Sequence, residues 1–203
     1  MRKAKWKRTA TPRSTRMLPD LCLTPMPQLQ DAHITRGNVA ARALWGVVWT
    51  LLFRPTPRPL HRWRAMLLRR FGAKIGQRVR VYQSARIWAP WNLTMEDDSC
   101  LGDDVDCYSV GPVHLEQRAV VSQYSFLCTA THDYTRRANP LQVGPIRIGA
   151  DAWVTARVFI GPGTTVGQGA VVGAGSVVTR NVEPWSVVSG NPPRFVKYRK
   201  VKD

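Results

Sequence analysis

A period of six residues runs through the C-terminal half of the chain and restricts the folds that it can adopt. Aliphatic side chains recur at every sixth position from Ile148 to Val178, and the residue after each is Gly or Thr. An α-helix turns once in 3.6 residues, so this spacing would scatter the aliphatic residues around its surface. Short strands joined by tight corners would place them all inward. We expect the glycines to relax the backbone at those corners, and the small residues four positions on, such as Ala152 and Ser176, to fit near the bends.

The same register continues towards the N-terminus in three groups of three. Its positions are Ile75, Val81 and Ile87, then Met95, Leu101 and Cys107, then Leu115, Val121 and Leu127. With the C-terminal positions they make fifteen hexapeptides, and three per turn would give five coils. The step is 8 residues after Ile87 and after Cys107, and 21 residues after Leu127. Because each interruption follows the third hexapeptide of a group, all three are predicted to leave one corner of a three-sided solenoid.

The N-terminal part differs from the repeats in its charge. The net charge is +17, and residues 1–80 hold 18 Lys and Arg against two acids, whereas residues 81–203 hold 12 against 11. Residues 1–35 are rich in Pro, Thr and Arg and are predicted to form a disordered basic tail. The four cysteines form no CxxC pair, which favours a reduced, cytoplasmic protein over a disulfide scaffold.

Residues 36–73 have the spacing of two amphipathic helices. The first is predicted to begin at Asn38, a capping residue, and to stop at the prolines that follow Phe53. The second, over residues 60–72, has an apolar face made of Leu60, Trp63, Leu67 and Phe71. The longest uncharged apolar run has 11 residues, where a membrane span needs about 20, so we expect neither a transmembrane helix nor export.

The residues at the root of the long insertion give a second signal. The segment LCTATHDY (127–134) ends the last regular hexapeptide before it, and FGAKIG (71–76) opens the first repeat. Over residues 74–192 the chain resembles the hexapeptide-repeat acyltransferases, and more closely the sugar O-acetyltransferases of colanic acid and exopolysaccharide synthesis. The resemblance implies an all-β solenoid, a left-handed parallel β-helix, with acetyl-coenzyme A as donor, no metal and a homotrimer.

By the same resemblance, His132 is the general base. An imidazole can take a proton from a sugar hydroxyl while that oxygen attacks the thioester, so no covalent nucleophile is needed. Asp133 is expected to orient His132, to contact the acceptor or simply to form a turn, and His114 and Ser109 are further candidates for the acceptor site. Cys128 offers a nucleophile four residues before the histidine, although a packed thiol is the better interpretation.

The resemblance also places coenzyme A. The matching positions are Ala156, Ala174, Thr179, Arg180, Arg194 and Lys197. Small side chains would line its groove and cations would meet its phosphates. The last of these residues lie in a predicted basic C-terminal tail, residues 193–203.

Other functions fit the sequence less well. A zinc enzyme with three histidines on the solenoid is excluded, because only His114 and His132 lie in the repeats. A nucleic-acid binder would need a basic groove with stacking aromatics, whereas Trp45, Trp49 and Trp63 fall at helical steps among aliphatic residues. Those tryptophans predict a helix face lying either on the prism or on an anionic membrane. An acetyltransferase for an amine or serine-like acceptor, and an inactive scaffold, remain the alternatives.

Overall fold

The computed structural model of the chain describes residues 29–32 and 35–201. Its body is a parallel β-helix with three faces, as the sixfold pattern predicts. Face 1 consists of β2 (Lys74–Ile75), β5 (Leu93–Met95), β8 (Val113–Leu115), β13 (Ile146–Ile148) and β16 (Thr165–Val166). Face 2 consists of β3 (Arg80–Val81), β6 (Cys100–Leu101), β9 (Val120–Val121), β14 (Trp153–Val154), β17 (Val171–Val172), β19 (Ser186–Gly190) and β20 (Pro193–Tyr198). Face 3 consists of β4 (Arg86–Ile87), β7 (Asp106–Tyr108), β10 (Phe126–Cys128), β15 (Phe159–Ile160) and β18 (Val177–Val178).

The strand register confirms the sixfold pattern at every predicted position. On face 3, for example, Ile87 pairs with Cys107, which pairs with Leu127. The inward side chains form one continuous hydrophobic core along the axis. The number of coils differs from the prediction, because Val182 bridges to Val166 and Val188 pairs with Val172. These pairings add a partial coil, so the solenoid has about six coils rather than five.

The corners use glycine for a different reason from the one expected. At the corner between faces 1 and 2, positive φ angles occur three residues after each inward position rather than one. They are found at Arg78, Asp98, Arg118, Asp151, Gly169 and Trp185. The repeat glycine one position after the inward residue is required by close approach, since a Cβ on Gly149 would lie 2.6 Å from the backbone nitrogen of Gln168. The small residues four positions on are buried, as predicted.

Two helices cover the first coils. Helix α1 (Arg36–Val48) continues into a π-helical turn (Trp49–Phe53), and α2 spans His61–Arg70. The cap of α1 is Thr35, whose side chain accepts a hydrogen bond from the backbone of Asn38, so the helix begins earlier than the sequence predicted. Apolar burial against the prism stabilises both helices more than intrinsic propensity does.

The tryptophans of α1 and the π-helical turn lie on the prism. The indole N–H of Trp45 donates to the carbonyl of Ile87 at 2.7 Å, and that of Trp49 donates to the carbonyl of Ala85 at 2.9 Å. In α2 the buried face agrees with the predicted one at Leu67 and Phe71 only. Arg64 and Leu68 are buried, whereas the predicted Leu60 and Trp63 are exposed, because the Arg64 guanidinium turns inward to bond backbone carbonyls.

The two ends of the chain add short antiparallel pairings. Strand β1 (Gln30–Asp31) pairs with β12 (Leu141–Val143), which pairs with β11 (Ala130–His132). Part of the predicted disordered tail is therefore a strand, while residues 1–28 and 33–34 lie outside the described residues. Strand β20 folds back on β19, so the predicted basic tail begins as an extension of face 2. Within the described ranges, no helix is long and apolar enough to cross a bilayer.

Candidate active site

All three interruptions of the repeat leave the corner between faces 3 and 1, which we name corner 3. They follow β4, β7 and β10, and these strands are direct neighbours in face 3. The prediction of a single reserved corner is therefore confirmed. The longest interruption, residues 129–145, forms the hairpin β11–β12 and is referred to as the arm.

His132 ends β11 at the root of the arm and is exposed. Its Nδ1 lies 2.8 Å from the carbonyl oxygen of Asn139, across the hairpin. Since a carbonyl can only accept a hydrogen bond, Nδ1 carries the proton in the neutral ring and Nε2 keeps its lone pair. The arm therefore holds the imidazole in the tautomer that a base at Nε2 requires. Nothing in the sequence indicated that Asn139 would supply this contact, because it depends on how the hairpin closes.

Asp133 builds the turn that closes the arm. Its carboxylate accepts hydrogen bonds from the backbone and side chain of Thr135 and from Arg136. These bonds, with those from Thr135 the largest, hold the pKa of Asp133 below its usual value. Arg136 also pairs with Asp31 of β1, which ties the N-terminal strand to the arm. The orienting partner of His132 in the structure is thus the Asn139 carbonyl, and Asp133 shapes the loop.

His114, a candidate for the acceptor site from the sequence, does not lie at corner 3. It is the middle residue of β8 on face 1, where it pairs with Thr94 and Arg147. Its Nε2 lies 2.8 Å from a carboxylate oxygen of Glu96. The two extra residues of this coil fall before β8, so the strand keeps its register and carries His114 away from the corner.

Ser109 lies at corner 3 but is fully buried. Its hydroxyl donates to the carbonyl of Ala89 and accepts from the same residue's N–H, both at 3.0 Å. The side chain of Asn92 donates to the carbonyls of Ser109 and Val110. Ser109 therefore joins two coils and offers no free hydroxyl to an acceptor. The sequence does not reveal this role, because the hydrogen-bond partner of Ser109 lies in the neighbouring coil.

The thiol of Cys128 has the properties of a packed side chain. Burial raises its pKa, and Sγ lies 3.2 Å from the carbonyl oxygen of Ala130. A thiol is nucleophilic as its thiolate, so this environment disfavours the Cys–His alternative.

A cleft of about 880 Å³ lies between α1 and the first coils of face 3. The guanidinium of Arg42 stacks 4.0 Å from the ring centroid of Trp88, and the Trp88 and Tyr108 rings meet edge to face at 5.4 Å. Asp106 also lines this cleft, and burial raises its pKa. The sequence did not indicate this cleft, although Trp88 and Tyr108 each directly follow an inward residue of face 3 and therefore share a register position.

The six coenzyme A candidates lie on different sides of the prism. Ala156 and Ala174 stack at the corner between faces 2 and 3, named corner 2, where the N–H of Gly175 bonds the carbonyl of Ala156. Thr179 and Arg180 follow β18 at corner 3. On β20, Arg194 pairs with Ser189 and Lys197 with Val187. One chain therefore does not bring all six together. Among the described residues, no group of three His, Cys, Asp or Glu could hold a metal ion.

Comparison with known proteins decides the family. A family model described as bacterial transferase hexapeptide (six repeats) matches residues 145–180. The putative colanic acid biosynthesis acetyltransferase WcaF of Escherichia coli K12 is 41% identical over 163 residues, which cover 80% of this chain and 90% of WcaF. The chain belongs to the hexapeptide-repeat acetyltransferases. Because it covers 80% of the chain, the match with WcaF includes the arm and is not limited to the regular coils.

Solved structures of hexapeptide-repeat acetyltransferases share the fold. The Vibrio cholerae acetyltransferase VCA0836, solved in complex with acetyl-coenzyme A, has a TM-score of 0.73 and 23% identity, covering 82% of this chain and 91% of that one. A maltose O-acetyltransferase from Clostridium difficile 630 has a TM-score of 0.70 and 25% identity, covering 86% and 94%. In this acetyltransferase the solenoid is the shared scaffold, and the arm with His132 projects from it.

Proposed function

We propose that this acetyltransferase transfers an acetyl group from acetyl-coenzyme A to a sugar hydroxyl of an exopolysaccharide or lipid-linked oligosaccharide precursor. The observation that carries the proposal is His132 at the root of the arm, with Nδ1 bonded to the Asn139 carbonyl. That arrangement leaves Nε2 as the basic nitrogen on an exposed part of corner 3. The 41% identity to WcaF, which is named for colanic acid biosynthesis, supports a polysaccharide precursor as the acceptor.

The proposed transfer is direct and needs one base. The acceptor hydroxyl oxygen attacks the thioester carbonyl carbon while Nε2 of His132 takes its proton. The tetrahedral intermediate collapses, the carbon–sulfur bond breaks, and the imidazolium returns the proton to the departing coenzyme A thiolate. The Asn139 carbonyl keeps the proton on Nδ1 in the resting ring and stabilises the imidazolium that forms.

The donor site is proposed along corners 2 and 3. The small side chains Ala156 and Ala174 stack at corner 2, and the exposed Arg180 lies at corner 3, which provides both narrow side chains and a cation for phosphates. Because these positions lie at two corners of one prism, we propose that a homotrimer completes each site, with corner 2 of one copy facing corner 3 of the next.

The acceptor is proposed to enter the cleft below the arm. Face 3 leads from the cleft towards His132, since Tyr108 pairs with Cys128 directly before the arm. Aromatic rings with a few fixed polar groups suit a sugar, whose ring has apolar faces and hydroxyl edges. Trp88, Tyr108 and Asp106 supply such a surface.

The matched pair His132→Ala and His114→Ala tests the proposal. We would measure coenzyme A release and acetylated product with nucleotide sugars, lipid-linked sugars, amines and serine as acceptors. His132→Ala should lower kcat by about 10²–10⁴-fold, the usual contribution of a general base. His114→Ala, on face 1, should change it little. Equal rates for wild type and His132→Ala would contradict the role of His132, and transfer to amines alone would contradict the sugar acceptor.

A further inference from the structure

The outer side of α1 and the following π-helical turn exposes a strip of large apolar side chains. Leu44, Val47 and Leu51 are 60%, 56% and 64% exposed. They lie on the side of the helix opposite Trp45 and Trp49, which are bonded to the prism. These side chains are therefore not needed to attach the helix to the prism. Removing their apolar surface from water would lower the free energy of the protein.

Helix α2 continues this strip. The indole N–H of Trp63 donates to the carbonyl of Leu52 at 2.8 Å, which places the ring against the end of the π-helical turn. Trp63, Met66 and Leu52 are themselves exposed. We name the six side chains the helical strip: Leu44, Val47, Leu51, Leu52, Trp63 and Met66.

The surroundings of the helical strip are basic. Residues 32–95 contain 12 Lys and Arg and no Asp or Glu. Arg58 and Arg78 are used in ion pairs with acids of the second coil. Arg62 and Arg70, on the same helix as Trp63, are exposed and have no carboxylate partner among the described residues. Apolar side chains bordered by unpaired arginines complement an anionic bilayer, in which phosphates lie above acyl chains.

We propose that the helical strip docks this acetyltransferase on an anionic lipid bilayer. The helices lie in the plane of the interface, with the strip in the acyl boundary and Arg62 and Arg70 at lipid phosphates. A second copy of the chain is a poorer partner, because it would bring the same excess of cations against this one. A nucleic acid would use the arginines but not the exposed leucines. From the sequence, the helices of residues 36–73 were expected to lie either on the prism or on an anionic membrane. Trp45 and Trp49 lie on the prism, so membrane contact is proposed here for the opposite face.

The test is co-sedimentation of the full-length protein with vesicles. Vesicles of phosphatidylcholine alone are compared with vesicles containing phosphatidylglycerol, at low and at high salt. The protein should pellet with the anionic vesicles at low salt and less so as salt rises. The double variant Leu44→Glu/Leu51→Glu should reduce the bound fraction at least tenfold, and Arg62→Gln/Arg70→Gln should reduce the dependence on phosphatidylglycerol.

A matched control separates the helical strip from charge in general. Val196→Glu adds a negative charge at a site 57% exposed on β20, at the other end of the prism, and should bind vesicles like the wild type. The double variant retains the basic residues 1–28 together with Arg62 and Arg70, so its residual binding measures the attraction that remains when the apolar strip is interrupted. Three results would overturn the proposal: no binding by the wild type, undiminished binding by the double variant, or a change in the double variant's oligomeric state without lipid. Because the assay detects lipid binding and not transfer, its outcome is independent of the proposed reaction.

Discussion

Arg64 is the largest fully buried side chain in the described part of the chain, where it forms no ion pair with a carboxylate. Its guanidinium donates to the carbonyls of Val81, Pro57 and Arg58 and to the hydroxyl of Thr56. Burial lowers the pKa of this guanidinium below its ordinary value. Backbone oxygens thus replace water around the cation, and one side chain connects α2, the Pro-rich turn and the first coil.

Arg64→Met should lower the free energy of unfolding by about 3 kcal/mol, because it leaves several inward carbonyls without a donor. Arg64→Lys should recover only part of this, since one ammonium cannot span the same acceptors. Urea denaturation followed by circular dichroism measures both. Arg62→Met is the control. Arg62 lies two residues earlier, on the exposed side of α2, so this change should alter stability by less than about 0.5 kcal/mol. Equal stabilities of the two Met variants would show that the network contributes little.

Single residues were predictable where they break a pattern and unpredictable where a neighbouring coil decides their environment. His132 could be singled out because it sits where the repeat stops. Ser109 and His114 were assigned to the acceptor site from their position in the sequence, yet one is buried under Ala89 and the other belongs to face 1. The partner of His132 also depends on hairpin closure, and no local rule predicts which carbonyl it meets.

The elements of the solenoid were predictable because the repeat is local. Each strand of the repeats contains its own inward apolar residue, and stacking the coils in register buries all of them together. The backbone conformation at the corners was harder to predict. The repeat glycine was expected to relax the backbone at the corner, whereas the left-handed residues of the structure lie two positions later and are often Arg or Asp. Arg78 and Asp98, at successive coils of one corner, form an ion pair along the stack.

The close approach of neighbouring coils predicts which glycines are replaceable. Gly149→Ala should destabilise the protein by about 1–3 kcal/mol, because the new methyl group would overlap the backbone of the next coil. Gly175 has a φ of +70° and no atom within 4 Å of an added Cβ, so Gly175→Asn should be nearly neutral. Thermal denaturation of the two variants compares them. If Gly149→Ala unfolds at the wild-type temperature, the coils can separate at low cost and steric contact does not explain the repeat glycine.

At the scale of the whole molecule, the proposed donor site is divided by a face of the prism. His132, Thr179 and Arg180 belong to corner 3, whereas Ala156 and Ala174 belong to corner 2, and face 3 lies between them. A parallel β-helix with a packed core does not bend enough to join two of its own corners. A site that uses both groups therefore needs corner 3 of one copy and corner 2 of another, which a closed ring of three copies provides.

Mixing inactive variants tests this division directly. His132→Ala damages corner 3 and Ala174→Trp obstructs corner 2, so each variant alone should be inactive. In trimers assembled from equal amounts of both, a site is intact when its His132 comes from one variant and its Ala174 from the other. Random assembly makes this true of about a quarter of all sites, so about a quarter of wild-type activity should return.

The control mixes His132→Ala with Thr179→Trp, two changes at the same corner. Each site then needs an undamaged corner 3 from a single copy, and neither variant supplies one, so activity should remain absent. No recovery in the first mixture would mean that His132 and Ala174 serve one site within a single chain. Recovery in the control would mean that His132 and Thr179 do not belong to the same corner of one site. Sedimentation of the mixtures must show that the two variants have assembled together, because separate assemblies would also give no recovery. A two-tag purification that retains only mixed trimers removes that ambiguity. The fraction of wild-type activity restored in these trimers then measures the fraction of sites that are shared between copies.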